Sequence, residues 1–395
     1  MKIKSRPEDF RVQEHNTLAS PGYLKSAGRW GVYELSKSGL TTPDAIDLAA
    51  GRLGLRPDQF RYAGLKDRWA STSQVVTVDT DRDCSAAWPG LALRLLGRAA
   101  RPVRPSDILA NSFAVVSRDL DAPASQRLLA AAAAGGTFVN YFDDQRFGSV
   151  RQDGVFAGEA LVRRRWRSAL RLILAAPGPR DGPAEAARRR AVASAWGDWT
   201  VCAAAVPAGP WRRAFELLQD KPTDVRRALN ALPRQELVFH LVAWQSQVWN
   251  ECARAAVRAA DPAPAVVPGL AGPYLLPAPG KAPSLDVLPV LGRRLTWPGE
   301  AAEALVRQVL AGLGLAPQDF VVRGLARYQL HAGWRPLMVR PADLRASPPE
   351  ADELNPGRSA IELGFSLPPG AYATMLLKSL ARSGLPEPAE DAASI

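Results

Sequence analysis

Residues 62–74 read YAGLKDRWASTSQ, a Lys-Asp pair that follows a glycine and precedes a run of Ser and Thr. Because glycine adopts backbone angles closed to other residues, a turn at Gly64 can direct the Asp67 carboxylate away from the local fold. The polar run, with Val75–Val78 after it, predicts a strand. An Asp after such a turn is also a common turn residue that bonds its own backbone, so these residues alone leave both interpretations open.

Three other blocks extend this signal along the chain. Residues 4–14 read KSRPEDFRVQE, residues 140–148 read NYFDDQRFG, and residues 365–374 read FSLPPGAYAT. Together with residues 62–74, these blocks in this order resemble the TruD family of tRNA pseudouridine synthases. The resemblance covers most of the chain, and it implies a protein that isomerises a uridine in tRNA, most specifically uridine 13 in the D arm.

Strand and helix patterns alternate along the chain and predict a mixed α/β (α+β) fold. The resemblance implies a catalytic domain with a central mixed or antiparallel sheet flanked by helices, interrupted by an inserted α/β domain. We therefore expect a discontinuous catalytic domain at residues 1–165 and 336–395, with the inserted domain at residues 166–335.

Two helix starts are predicted from N-caps at Thr42 and Ser125. A long amphipathic helix is predicted to begin at Gln235. Gly54 is predicted to end the first of these helices. Residues 261–283 are rich in Pro, Gly and Ala, and we expect them to form a loop or hinge without regular structure.

The composition is that of a globular protein with a polyanionic partner. Hydrophobic residues make up 47% of the 395 residues and charged residues 23%, and the formal net charge is +11. Lys and Arg that face phosphates gain affinity through counterion release, so this charge favours a nucleic acid, although a generally basic proteome would give the same value. The resemblance implies that the partner is tRNA, and we expect the protein to act as a monomer.

No cofactor or metal is expected. The cysteines (Cys84, Cys202 and Cys252) are odd in number and lack C-x-x-C spacing, which argues against a disulfide framework or a zinc site. The sequence contains no P-loop and no G-x-G-x-x-G motif, and isomerisation of uridine needs neither redox chemistry nor phosphoryl transfer. Because no apolar run is long enough for a signal peptide or a membrane helix, we expect no membrane association and a reduced, cytoplasmic location.

The resemblance implies a catalytic aspartate, and Asp67 matches the family motif. Breaking and rejoining the link between uracil and ribose needs a carboxylate close to both, as nucleophile or proton acceptor. That carboxylate must stay ionised, which a nearby cation favours. Lys4 aligns with a family lysine and is the preferred partner. Lys66 is the other candidate, or a substrate contact, although adjacent residues on an extended chain face opposite sides.

An everted uracil needs an aromatic face and a polar contact at its edge. Phe142 is the predicted stacking ring, and Asn140, which can donate and accept hydrogen bonds, is the predicted edge contact. Arg146 adds polarity beside them, and the resemblance implies Phe10 and Tyr372 as further walls of the pocket.

Asp143 departs from the family pattern, in which a glycine usually follows the Asn-Tyr-Phe triplet. Its negative charge would repel phosphate beside the pocket unless Arg146 or another cation pairs with it. This departure puts details of the substrate in doubt, while the proposed nucleophile is unaffected.

Two arginine clusters lie in the predicted insertion. They are interpreted as RNA phosphate contacts or as solvated helix faces, and the residues concerned are Arg163, Arg164, Arg188 and Arg189. Two other functions stay open. A non-catalytic RNA-binding protein or tRNA-folding chaperone would explain the basic charge equally well, and a hydrolase with paired carboxylates would use Glu8 or Asp9 as its second acid.

Overall fold

In the computed structural model, residues 1–151, 154–325 and 328–382 are described. The chain divides into two compact units, Met1–Phe138 with Val339–Ile395 in the first and Val139–Met338 in the second. Residues 383–395, which the predicted catalytic domain includes, lie outside the described residues.

The first unit holds most of the β structure. In chain order its elements are β1 (Phe10–Asn16), β2 (Trp30–Ser38), α1 (Thr42–Leu53), β3 (Phe60–Tyr62), β4 (Ser71–Asp79), β5 (Ala86–Trp88), β6 (Leu91–Ala99), β7 (Ile108–Leu120), α2 (Ala122–Ala133) and β8 (Phe138–Val139).

The second unit is mainly helical. Its elements are α3 (Ala157–Val162), α4 (Trp166–Ala175), α5 (Pro183–Ser194), α6 (Trp199–Ala204), α7 (Pro210–Asp220), α8 (Val225–Ala231), α9 (Arg234–Ala260), β9 (Ala265–Val267), β10 (Tyr274–Leu276), β11 (Val287–Val290), α10 (Glu300–Gly312), β12 (Gly333–Pro336) and β13 (Met338–Val339). The chain then returns to the first unit with β14 (Ala342–Ala346), β15 (Glu350–Ala351), β16 (Ser359–Leu367) and α11 (Ala373–Arg382).

The central sheet has the strand order β14-β16-β7-β1-β4-β2-β6-β5, with β15 paired to β16 and β3 paired to β4. β1 and β4 run parallel, while β1 is antiparallel to β7 and β2 is antiparallel to β4 and β6. The predicted mixed α/β fold with a mixed central sheet is therefore confirmed. β16 pairs with β7, so the last part of the chain completes the sheet that the first part begins.

α1 packs on this sheet through a stripe of small and branched side chains. Ala45, Ile46 and Ala49 are buried against Tyr33 and Val76 of the sheet, and each large side chain fully buried in this way is worth about 1.5–3 kcal/mol. Gly54 ends the helix, as predicted, with the left-handed φ of +63° that glycine adopts without steric cost.

Both predicted helix caps are wrong by a short distance. The N-cap of α1 is Thr41, whose hydroxyl accepts from the Asp44 amide. The Thr42 hydroxyl instead bonds the Lys66 amide and the Gln74 side chain. The N-cap of α2 is Asp121, which accepts from the Ala124 amide. Carboxylates and hydroxyls cap helices about equally well, so neighbouring cap candidates are not separated by propensity.

The second unit begins at Val139, and within it α3 packs against α9 and α4 packs against α8. The inserted domain predicted at residues 166–335 falls within this unit. One prediction for the same region needs correction. Within residues 261–283, β9 and β10 form an antiparallel pair, because Val266, Val267 and Leu275 supply strand formers between the Pro and Gly residues.

Helix α3 approaches the long helix α9 through a glycine. A Cβ on Gly158 would overlap the carbonyl oxygen of His240 and would lie 2.8 Å from the Cβ of Trp244. We expect Gly158→Ala to lower the free energy of unfolding of the protein by about 1–3 kcal/mol, because the two helices must move apart. Gly312→Ala is the matched control, since Gly312 in α10 has open space around it and alanine favours a helix. Equal stability of the two variants in urea titrations would contradict the prediction.

Candidate active site

The loop that carries Asp67 is anchored through its backbone. The Lys66 amide donates to the Thr42 hydroxyl at 2.9 Å, and that hydroxyl donates to Oε1 of Gln74 at 2.8 Å. The Gln74 amide group in turn donates to the Gly64 carbonyl at 3.0 Å. Thr42 and Gln74 are 0% and 1% exposed, so this chain of bonds ties the turn to α1 and β4 inside the protein, where water competes little with hydrogen bonds.

Lys37 adds a buried cation beneath the same turn. Its ammonium donates to the carbonyl oxygens of Asp67 and Leu40, both at 2.7 Å, and the residue is 3% exposed. Burial lowers the pKa of Lys37 to about 8, and the charge of Asp67 only partly offsets this effect. The sequence analysis did not single out this residue, since a lysine on an alternating strand is normally assigned to the solvent face.

The Asp67 carboxylate forms an ion pair with Lys4. The distance from Lys4 Nζ to Asp67 Oδ2 is 2.5 Å, and the exposed fractions of the two side chains are 18% and 40%. The same ammonium lies 4.3 Å from the centre of the Phe10 ring. The carboxylate is thus held by a cation, which stabilises its negative charge, and it still reaches solvent.

The backbone of Lys4 adopts a strained conformation where it places this ammonium. Its φ is +57°, a left-handed conformation that costs a residue with a side chain on the order of 1–2 kcal/mol. Strained backbone of this kind persists where the surrounding structure enforces it, commonly at functional sites.

Lys66 points to a different partner. Its ammonium lies 2.7 Å from Oε2 of Glu14 and 2.9 Å from Oδ1 of Asn111, and the Glu14 side chain is fully buried. Lys66 is therefore a buried paired lysine, and it fixes the loop to β1 and β7.

Asp9 is not a solvated turn residue. It is 1% exposed, and both of its carboxylate oxygens accept from Arg118, at 2.7 and 2.9 Å. Burial disfavours the charged form, but the bonds and charge of Arg118, together with the bonds from Arg6, outweigh that effect and lower the pKa of Asp9. Asp352 also accepts from Arg118, at 3.0 Å. A carboxylate enclosed in this way has a structural role, which weakens the hydrolase alternative with Asp9 as its second acid.

In the second unit, the predicted residues Asn140 and Phe142 both contact Arg335. The guanidinium of Arg335 lies 4.0 Å from the centre of the Phe142 ring and donates to the side-chain oxygen of Asn140 at 2.8 Å and to its carbonyl at 2.9 Å. Asn250 bonds both backbone groups of Phe142, each at 2.9 Å. Phe142 and Asn140 are 8% and 3% exposed, so this aromatic ring and amide are held rigidly.

Arg146 and Asp143 lie on the same segment. The Arg146 guanidinium is 5.6 Å from the centre of the Phe142 ring, and the Arg146 amide donates to the Asp143 carbonyl at 2.8 Å. Asp143 is 3% exposed, so its charge faces the protein interior rather than the surface. Tyr372 belongs to the first unit, where its carbonyl accepts the Met375 amide at the start of α11.

The four arginines predicted as phosphate contacts differ in exposure. Arg189 is 7% exposed and lies 4.8 Å from the centre of the Trp211 ring, so it is a core residue and the prediction is corrected for it. Arg188 pairs with Glu185. Arg163 donates to the carbonyls of Leu313 and Gly314. Arg164 is exposed.

Arg189 is buried because its ion-pair partners lie on the same short stretch of chain. Its Nε is 3.0 Å from Glu185, one turn earlier in α5, and 3.1 Å from Asp181, which precedes that helix. His240 is buried in the same unit, and burial, together with the nearby charges of Arg151 and Arg189, lowers the pKa of His240 to about 3. His240 is therefore a neutral core histidine.

Lys37→Met should lower kcat for the expected uridine isomerisation by about 10- to 100-fold with little change in KM. The substitution removes an anchor of the turn that carries Asp67, and a small displacement of a reacting group lowers the rate strongly. Lys25→Met, at an exposed lysine, is the matched control. A fall confined to KM, or no fall, would contradict a positioning role.

The pH dependence of stability gives a second reading on Lys37. Its pKa is about 8 in the folded protein against an ordinary value of 10.5, so the unfolded chain binds this proton more tightly. Stability should therefore rise as pH increases from about 8 to about 10.5, and Lys37→Met should lack that rise. Urea titrations of both proteins across this range measure the difference.

The described residues contain no group of three or more His, Cys, Asp or Glu side chains arranged to hold a metal ion. In the same part of the chain, no helix has both the length and the apolar character needed to cross a membrane.

The sites of the two units thus consist of an ion-paired, accessible aspartate in the first and an enclosed ring and amide in the second. The family model described as tRNA pseudouridine synthase D (TruD) matches residues 1–269 and 283–380. The tRNA pseudouridine synthase D of Leptospira interrogans is 25% identical over 399 residues, covering 96% of this chain and 95% of that protein. That of Aquifex aeolicus is 26% identical over 414 residues, covering 96% of this chain and 98% of that protein.

The crystal structure of a TruD protein from Methanosarcina mazei shares the fold. The TM-score is 0.71 at 22% identity, with 96% of this chain and 93% of that chain covered. Since the family model matches nearly the whole chain, including every block quoted above, the chain belongs to the TruD family of tRNA pseudouridine synthases.

Proposed function

We propose that this protein converts uridine 13 in the D arm of tRNA to pseudouridine, with Asp67 as the catalytic carboxylate. The observation that carries the proposal is the Asp67 carboxylate itself, paired with Lys4 at 2.5 Å and 40% exposed on a loop whose backbone is bonded to Lys37, Thr42 and Gln74. A rigid loop that presents an ionised, accessible acid suits a reaction in which that acid must meet a ribose and its base.

The reaction is an isomerisation. The bond from N1 of uracil to C1′ of ribose breaks, the base turns, and a bond from C5 to C1′ forms, while C5 releases one proton and N1 gains one. Asp67 acts as nucleophile or as proton acceptor in this sequence. Lys4 keeps the carboxylate ionised when RNA excludes water from the site.

Asn140 and Phe142 are proposed to hold the everted uracil. The Asn140 side chain is bonded to Arg335 and to the Pro336 carbonyl, at 2.8 and 3.1 Å. Uracil carries a donor at N3 and an acceptor at O4, which match the acceptor and donor of the Asn140 amide, so the base would exchange with these protein partners. Phe10, Tyr372 and Arg146 are proposed as further contacts of the nucleotide. Lys66, which was predicted as a substrate contact, is instead proposed to position the loop through Glu14 and Asn111.

The direct test uses unmodified tRNA transcripts incubated with the protein and then mapped for uridines that retain carbodiimide through alkaline treatment. The expected result is one new pseudouridine at position 13, absent from a transcript with cytidine at that position. Modification at a different uridine would contradict the proposed position 13 but not the proposed activity. No modification of any tRNA, alongside an active control extract, would contradict the proposed activity and leave the chaperone alternative.

Exposed arginines of the second unit are proposed as phosphate contacts, with Arg164 as the leading candidate. A phosphate contact raises the affinity for all RNAs alike, and its removal should flatten the salt dependence of tRNA binding by about one unit of slope. The tRNA partner, monomeric state and cytoplasmic location predicted from the sequence remain part of this proposal.

A further inference from the structure

Several large apolar side chains close to Asp67 in sequence are exposed. Trp69 is 66% exposed, Leu65 is 68% exposed and Tyr62 is 38% exposed, and all three lie within five residues of Asp67. Soluble proteins seldom place several large apolar side chains together in water, and such groups mark surfaces that bind a partner.

The exposure of Trp69 is not a consequence of a loosely held loop. Backbone atoms of Gly64, Lys66 and Asp67 are all bonded to buried or half-buried side chains, and β4 begins two residues after Trp69, at Ser71. The indole is therefore presented from a fixed backbone, which limits the entropy lost when it binds a ligand.

The position of Trp69 relative to Asp67 restricts what that ligand can be. Two residues span at most about 7 Å, so the Cα atoms of Trp69 and Asp67 lie within that distance of each other. The nucleotide beside the one whose ribose reaches the Asp67 carboxylate can therefore lie within reach of the indole. Two exposed arginines flank the loop in sequence, Arg61 in β3 and Arg68 next to Trp69, and positive charge of this kind suits a polyanion, although Arg68 is paired with Asp44 at 2.7 Å.

When a uridine is everted, the bases beside it lose a stacking partner. An exposed indole next to the catalytic carboxylate can replace that partner, since aromatic side chains stack on any base. We propose that Trp69 forms a stacking subsite for the nucleobase adjacent to the everted uridine in the RNA substrate. This inference rests on the proposed function.

Trp69→Ala should reduce kcat/KM for unmodified tRNA by about 5- to 150-fold, the range that corresponds to base stacking on an aromatic side chain. Trp69→Phe should recover most of the loss, whereas Trp69→Leu, which is apolar without a ring, should not. Tyr23→Ala is the matched control, because Tyr23 is an aromatic of the same unit that is 53% exposed. Since Trp69 is exposed, all variants should unfold at the urea concentration of the wild type.

Fluorescence gives a readout that does not depend on turnover. In an Asp67→Asn background, titration with the tRNA transcript should quench a component of tryptophan emission that is missing when Trp69 is also replaced by Phe. Loss of activity with Trp69→Ala that is fully restored by Trp69→Leu would overturn stacking. Activity and quenching equal to the wild type in all Trp69 variants would also overturn it, while pseudouridine formation by the wild type would leave the proposed function intact.

Discussion

Asp67→Asn should abolish pseudouridine formation, lowering the single-turnover rate by at least about 10²- to 10⁴-fold, while tRNA binding stays close to that of the wild type. The amide keeps the size of the carboxylate but can neither attack the ribose nor accept a proton. Asp67 is 40% exposed, and a partly exposed ion pair contributes only about 0–1 kcal/mol to stability, so the variant should fold normally.

The measurement is a single-turnover assay with excess protein, paired with a binding titration on the same transcript. Asp79→Asn is the matched control, because Asp79 is also a partly exposed carboxylate of the first unit and is paired with Arg29. Near-normal turnover by Asp67→Asn would show that another group performs the chemistry. A non-catalytic RNA chaperone would show no turnover with either protein.

Arg118→Leu should destabilise the first unit by about 3–5 kcal/mol, because it leaves two buried carboxylates without their shared cation. Arg118 is 4% exposed, and Asp9 and Asp352 are 1% and 5% exposed. Removal of the cation lowers the free energy of unfolding more at buried aspartates than at a surface ion pair. The matched control, Arg29→Leu at the exposed pair with Asp79, should therefore change stability little.

Acid titration separates the charge effect from simple loss of packing. The pKa values of Asp9 and Asp352 lie below the ordinary 3.8 in the folded protein, because bonds to Arg118 and to backbone amides outweigh the effect of burial. Their contribution to stability is therefore present above about pH 4 and is lost as pH falls through the lower folded values. Arg118→Leu should remove most of the part that comes from Asp9, for which Arg118 is the main cause of the lowered pKa, whereas Asp352 keeps its bonds from backbone amides. A variant as acid-sensitive as the wild type would contradict the account.

The sequence was sufficient for the fold class, because strand alternation and turn residues are local signals. It also placed Gly54 at the end of α1. It did not distinguish Thr41 from Thr42, since both are good N-caps, and the choice depends on the Lys66 amide and Gln74, which are distant in sequence.

Burial of charged residues was the least predictable feature. Lys37, Lys66 and Arg189 are all buried with partners, whereas pattern reasoning assigns charged side chains to the solvent. Arg335, which contacts both Asn140 and Phe142, lies almost two hundred residues from them in sequence. A tertiary contact of this kind leaves no trace in local periodicity.

The order of strands in the central sheet has a consequence for biosynthesis. β7 lies between β1 and β16, and β16 follows it only after the whole of the second unit has left the ribosome. Until then the newly made β7 has one bare edge, which can pair with other nascent chains. Synthesis of Val139–Met338 sets the minimum length of that interval, and rapid independent folding of this unit would avoid any further delay before β16 pairs with β7. The time for which the edge of β7 stays unpaired, rather than the final stability of the protein, would then govern the yield of active protein during expression.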